Sequence, residues 1–171
     1  MSDAAPSSQG SPFWRFSLQF YRVPKVADAC IALQEEAGVD VNLLLFLLWQ
    51  ARQRRRLSTS DVAAVEAKIA PWRDATVIPL RSVRRSLKSP PALVEAATAE
   101  AFRNRIKAVE LEAERLQQEA MFALAPVGTE GSDPGDAARA NVAAYEAMRA
   151  VRFPQEAAAT VLAAFASMPW E

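Results

Sequence analysis

The chain has 171 residues, 51% of them hydrophobic and only five of them glycine. That length allows one core to bury roughly two-thirds of the unfolded surface, and the abundance of Ala, Leu, Glu and Arg favours helix. Twenty Lys/Arg balance twenty Asp/Glu, so the molecule as a whole has no pull on nucleic acid or acidic lipid. One cysteine and no histidine exclude an internal disulfide, Cys/His metal sites and the usual neutral-pH general base.

Residues 1–11, MSDAAPSSQGS, have no basic n-region and no apolar h-region; they read as a disordered lead and not as a secretory signal. A helical domain over residues 12–125 follows. Ser11-Pro12 is an N-cap followed by proline at the first helical position. Two adjoining stripes, Phe13/Phe16/Phe20 and Trp14/Leu18/Tyr21, make a wide apolar face, and Pro24 ends or bends this helix. Aromatics at this spacing read first as core, and second as the lining of an apolar ligand pocket. Val26 to Ala37 forms a second helix, with Gly38 as its left-handed C-terminal cap.

Asp40 caps the next helix, about residues 40–55, which contains the run Leu43 to Trp49. That run has no polar face. A helix apolar all round is a buried one, so it is placed at the centre of the fold. It is about half the ~20 residues that would span a bilayer. Ser58 and Asp61 have capping-box spacing and open a helix to about Ala70. Pro71 opens another, with Pro79 kinking or splitting it, and Ser89-Pro90-Pro91 closes it. From about 92 to 125 no Gly or Pro intervenes. Phe102, Ile106, Val109, Ala113, Leu116, Ala120 and Leu124 recur at spacings of three and four, predicting a long helix whose apolar seam faces the core of a bundle; a coiled-coil seam is the competing reading. Residues 126–135 hold three glycines and two prolines and read as a flexible loop. Residues 136–171 form an alanine-rich helical pair divided at Phe153-Pro154, packing on the same domain. The fold class is therefore all-α, a single-domain bundle of six to eight helices.

The charge is uneven. Residues 52–107 hold 13 basic against 5 acidic residues, a net of +8; residues 108–171 hold 4 against 10, a net of −6. At ~100° per residue, Arg81, Arg84, Arg85 and Lys88 fall within an arc of about 100° on one helix, and Arg73 joins them if Pro79 only kinks that helix. Two readings compete: an anion or acidic-partner contact, and internal neutralisation by Glu110 and Glu114. No aromatics interleave with these arginines, which argues against nucleic acid. Glu35-Glu36 and Glu110/Glu112/Glu114 are the dense carboxylate groups, read as solvated helix faces. Cys30, amid Ala29 and Ile31, reads as a buried structural thiol of a reducing cytosol. Gln34, Asp40 and Asn42 beside the apolar helix have two readings: capping with satisfied buried hydrogen bonds, or the polar mouth of a small-ligand pocket.

The stretch FSLQFYRVPKVADACIALQEEAGVDVNLLLFLLW resembles an uncharacterised bacterial family known as a domain of unknown function. The resemblance rests on Trp14, Phe16, Tyr21, Pro24, Ala29-Cys30-Ile31, Leu33-Gln34 and Gly38 to Phe46. The segments PWRDATVIPLRSVRRSLK and KAVELEAERLQQEAM extend it, so that it covers roughly residues 13–121. Lys25 stands where the family pattern has glycine, and the tail from Pro126 lies outside the pattern. The resemblance implies one cytoplasmic bacterial domain and carries no activity, cofactor or partner.

These observations lead to a non-enzymatic cytoplasmic binding or adaptor protein with no cofactor and no membrane span. Its cationic edge, Arg81, Arg84, Arg85 and Lys88, would meet an acidic protein partner. The alternative is an enzyme or carrier holding an apolar small molecule with a phosphate or carboxylate head. Oligomeric state stays open.

Overall fold

The computed structural model describes residues 10–169; residues 1–9, most of the expected N-terminal lead, lie outside the described residues. Four helix ends fall where local chemistry dictates. Helix α1 (Pro12–Tyr21) starts at Ser11, whose hydroxyl accepts from the Trp14 amide. Helix α2 (Val26–Ala37) ends at Gly38 in the left-handed region, φ 65°. Helix α3 (Val41–Arg52) is capped by the Asp40 carboxylate, which accepts from the amides of Asn42 and Leu43. Helix α4 (Thr59–Trp72) opens with the Ser58/Asp61 capping box. Lys25 sits at φ 71°, a conformation only glycine adopts at little cost.

The expected break at Pro71 does not occur. Helix α4 runs through it into a π-helical turn, Arg73–Val77, and on into α5 (Ile78–Ser86). In that turn the Ile78 amide donates to the Arg73 carbonyl five residues back. The wider turn relieves the clash of the Pro79 ring with the preceding carbonyl, so relief falls downstream of Pro71 and the rod stays continuous. Helix α6 (Ala96–Leu124) is shorter at its start than the expected 92–125. Helices α7 (Pro134–Arg149) and α8 (Gln155–Ser167) complete an all-α bundle. Among the described residues, no helix is long and apolar enough to cross a membrane.

Helix α3 is the axis. Every side chain from Leu43 to Trp49 is at most 9% exposed, enclosed by α1, α2, α6 and α7. Only one aromatic stripe of α1 goes inward: Phe13 meets Phe46 edge-on at 5.5 Å and Phe16 meets Trp49 at 5.7 Å. Leu18 and Tyr21 of the other stripe are exposed, which narrows the expected wide face. These rings pack against one another, as the core reading requires.

Two features were not foreseen. The expected helix end at about 55 gives way to a two-residue strand, β1 (Arg55–Arg56), antiparallel to β2 (Thr129–Glu130). The 126–135 segment is thereby tied down, because Arg55 donates to the carbonyls of Val127 and Gly128 at 2.9 Å each. Buried Asn141 of α7 completes the pin. Its amide donates to the carbonyls of Leu47 and Arg55, and its oxygen accepts from the Leu57 amide at 2.7 Å.

The second concerns α6. Its inward face carries Glu110, Gln117 and Gln118, all buried, whereas Phe102, Val109 and Leu116 of the expected core seam are 47%, 51% and 43% exposed. Only Ala113 of that seam is buried. The reason lies in the neighbours: α5 presents arginines to α6, and the start of α3 presents Asp40 and Asn42. The α6 side chains that meet them must be polar, since a buried charge needs a partner.

Candidate functional site

Between the end of α2 and the π turn with α5 lies an open cleft of about 740 Å³. Gly38 builds one wall. A Cβ there would stand 2.7 Å from Arg149 Nη2, so glycine both ends α2 and lets the last-turn arginine of α7 cross it. Arg149 Nη2 donates to the Ala37 carbonyl at 3.4 Å, while its buried Nε has no partner among the described residues.

Asp40 forms the floor. One carboxylate oxygen caps α3, and the other accepts from Arg73 Nη1 at 3.3 Å and Gln117 Nε2 at 3.1 Å. Its own amide donates to the Tyr145 hydroxyl at 2.9 Å. One residue thus joins α3, the π turn, α6 and α7. Burial, and then the nearby Asp40 charge, push the Tyr145 hydroxyl well above the ordinary tyrosine range. Arg73 also pairs with Glu66 at 2.8 Å and Asp74 at 3.0 Å. Burial works against its charge, but the hydrogen bonds it donates to Glu66 and Asp74 outweigh that and hold its proton more firmly than usual.

The residues singled out in sequence divide as follows. Gln34, Asp40 and Asn42 all line the cleft, as do Arg73, Arg81 and Arg85. The polar mouth and the cationic edge, separate in the sequence, therefore share one cavity. Asn42 is held by Gln118 Nε2 at 2.8 Å. Arg81 is tied to α6, reaching Glu110 at 3.3 Å and Glu114 at 3.2 Å. Arg84 turns fully toward α6 and pairs with Glu110, whose hydrogen bond raises the guanidinium pKa. Burial raises Glu114 above the ordinary carboxylate range despite Arg81. Arg85 meets Glu35 at 2.9 Å in an exposed pair, and Lys88 is exposed beyond the end of α5. Internal neutralisation therefore claims Arg81 and Arg84.

Sequence reasoning missed Arg149 and Asp74. Arg149 carries no local signal, because only the docking of α7 brings it to Gly38. Glu35 was noted as part of a carboxylate pair, but its arginine partner lies fifty residues on. Among the described residues, no three His, Cys, Asp or Glu side chains converge as metal ligands do. Cys30 is fully buried and its thiol is pushed up to about 12 by burial.

No curated protein and no solved structure matches the chain. A family model described as a protein of unknown function, DUF2390, matches residues 12–121. That span runs from the first residue of α1 nearly to the end of α6 and includes every cleft residue except Arg149, so the chain belongs to this family of unknown function.

Proposed function

We propose that the protein is a non-enzymatic binding protein whose cleft between α2 and α5 receives an acidic group of a protein partner. The observation that carries this reading is the convergence of Arg73, Arg81, Arg85 and Arg149 on one open cavity. Two of the four have capacity to spare. The exposed Arg85–Glu35 pair is worth at most about 1 kcal/mol, so a partner carboxylate exchanges for Glu35 at little cost. Arg149 spends one weak hydrogen bond, Nη2 to the Ala37 carbonyl at 3.4 Å, and its buried Nε has no partner among the described residues. Lys88 extends the cationic edge outward from Arg85. The cleft carboxylates Asp40, Asp74 and Glu35 are each engaged by an arginine, which argues against their use as a general base.

The test is affinity recovery of partners by the full chain and by an R85Q/K88Q variant. Both side chains are exposed, so the fold is retained. Loss of a recovered protein in the variant, together with salt-sensitive binding to the parent chain, is the expected outcome. Recovery unchanged by R85Q/K88Q overturns it.

A second reading, a small apolar molecule with an anionic head, draws on the cleft volume, which is within the ~300–1,000 Å³ of small-molecule sites, and on Val39, Val77 and Ile78 in its wall. Native mass spectrometry separates the two, since a co-purifying small molecule supports this reading and a bound protein the first.

A further inference from the structure

The outward face of α6 is more apolar than its inward face. Phe102, Val109 and Leu116 form a row at seven-residue spacing, and Ala123, also exposed, continues it. Trp72 of α4, itself 40% exposed, donates from its indole nitrogen to the Ala113 carbonyl at 3.0 Å. Its ring and the α6 residues Leu116, Ala120 and Leu124 border an apolar groove of about 400 Å³. An apolar row beside an apolar groove on a charged surface marks an interaction site. No α6 residue lines the cleft, so this surface is separate from it.

We infer that this surface pairs with a second copy of the chain, α6 against α6, antiparallel about a twofold axis at Glu112–Ala113. Three observations choose that occupant and orientation. The first is steric. An axis there sets Val109 opposite Leu116 of the second copy, and Phe102 opposite Ala123 at the end of the groove. The large Phe102 then faces the small Ala123 at either end, and Val109 and Leu116 pack between them, as a self-complementary twofold interface allows.

The second is charge. The flank of the row carries exposed Arg105 in the first half and half-buried Glu119 in the second, each seven residues from Glu112; one Glu119 oxygen already accepts from the Ser11 amide at 2.8 Å. The same axis brings Arg105 and Glu119 together. Glu112 supplies its own counter-ion, Arg115, at 2.7 Å. A parallel pair would set Arg105 against Arg105 and Glu119 against Glu119. The third is pattern. Phe102, Ile106, Val109, Ala113, Leu116, Ala120 and Ala123 alternate at four and three residues, the repeat of a two-helix seam.

The interface is modest. Helix α6 is about 44 Å long at ~1.5 Å per residue and about 10 Å across, a strip on the order of 450 Å² per copy. Stable interfaces bury ~800 Å² per partner, so association is expected in the micromolar range.

The test is sedimentation equilibrium of the full chain from about 1 to 200 µM. The mass is expected to double across that range, and V109E, at an exposed position that leaves helicity unchanged, is expected to raise the dissociation constant at least tenfold. Single cysteines fix the orientation, because native Cys30 is buried. E112C lies at the axis and is expected to form a disulfide dimer on mild oxidation. R105C lies about 21 Å from its own copy at ~1.5 Å per residue and is expected to cross-link only with E119C. A monomer at 200 µM, a dimer indifferent to V109E, or R105C self-linking as readily as E112C each overturns the inference. A monomer that captures a different protein through the Phe102 row also overturns it.

Discussion

Asp40 is where the floor of the cleft and the centre of the fold meet, and its removal separates two contributions. In D40A the α3 cap is lost, at about 1 kcal/mol. The amide of buried Gln117 loses its Asp40 acceptor, at about 1–3 kcal/mol for a buried donor left unpaired. Arg73 loses one of three carboxylates but keeps Glu66 and Asp74, so that loss adds only about 1 kcal/mol. The expected total is about 3–5 kcal/mol. D40S retains a hydroxyl that caps α3 but cannot reach Arg73 or Gln117, and it should recover about 1 kcal/mol of that total. The assay is urea unfolding followed by tryptophan fluorescence. With a slope of about 2 kcal/mol/M, D40A should lower the midpoint by about 2 M at unchanged slope, with D40S about 0.5 M above it. A cost below about 1 kcal/mol for D40A, or D40S no more stable than D40A, refutes the role of Asp40 as a shared anchor.

Asn141→Leu leaves the Leu57 amide and the carbonyls of Leu47 and Arg55 without their side-chain partner, so it should cost about 3 kcal/mol or more, measured by the same unfolding assay. Ala150, which caps α7 at φ 53°, should give about 0.5–1 kcal/mol of added stability as A150G, and a lowered melting temperature would contradict the cap reading. For Glu114, burial raises the folded pKa above the ordinary 4.5, so the folded chain holds a proton that the unfolded chain has released. Stability from this group is then lost as pH rises from 4.5 through the folded value; relative to E114Q, the parent chain should weaken over that window, and a parallel pH profile for the two would contradict it. Cys30, buried and with its thiol near 12, should resist iodoacetamide at pH 8 in the native state and react in urea; equal rates would place it at the surface.

What was legible in the sequence follows from what is local. Ser11, Gly38, Asp40 and Ser58 act on the amides and carbonyls of their own turns, and all four stop or start helices where their chemistry predicts. The run Leu43–Trp49 needed no knowledge of its neighbours either, since a helix with no polar side has nowhere to go except inside. Lys25 is the instructive exception. Its left-handed backbone, φ 71°, has no signal in the neighbouring residues of the chain. Arg149 and the Asn141 pin were illegible because their partners come from segments brought together only by the fold.

Helix α6 shows how a correct periodicity leads to a wrong side. Its apolar positions repeat as expected, and the helix forms, yet the core takes the adjacent stripe of Glu and Gln. The charge asymmetry between the basic middle and the acidic tail held the missing information. Two of the three edge arginines are neutralised by Glu110 and Glu114, so those two carboxylates had to face inward. On a helix, Glu110 and Glu114 lie on one side at four-residue spacing, and placing them inward rotates Phe102, Val109 and Leu116 toward solvent. An apolar row held outward by buried ion pairs is costly to leave wet. That cost is the physical reason to expect the row to be covered, and the antiparallel match of Arg105 to Glu119 is the reason to expect a second copy to cover it.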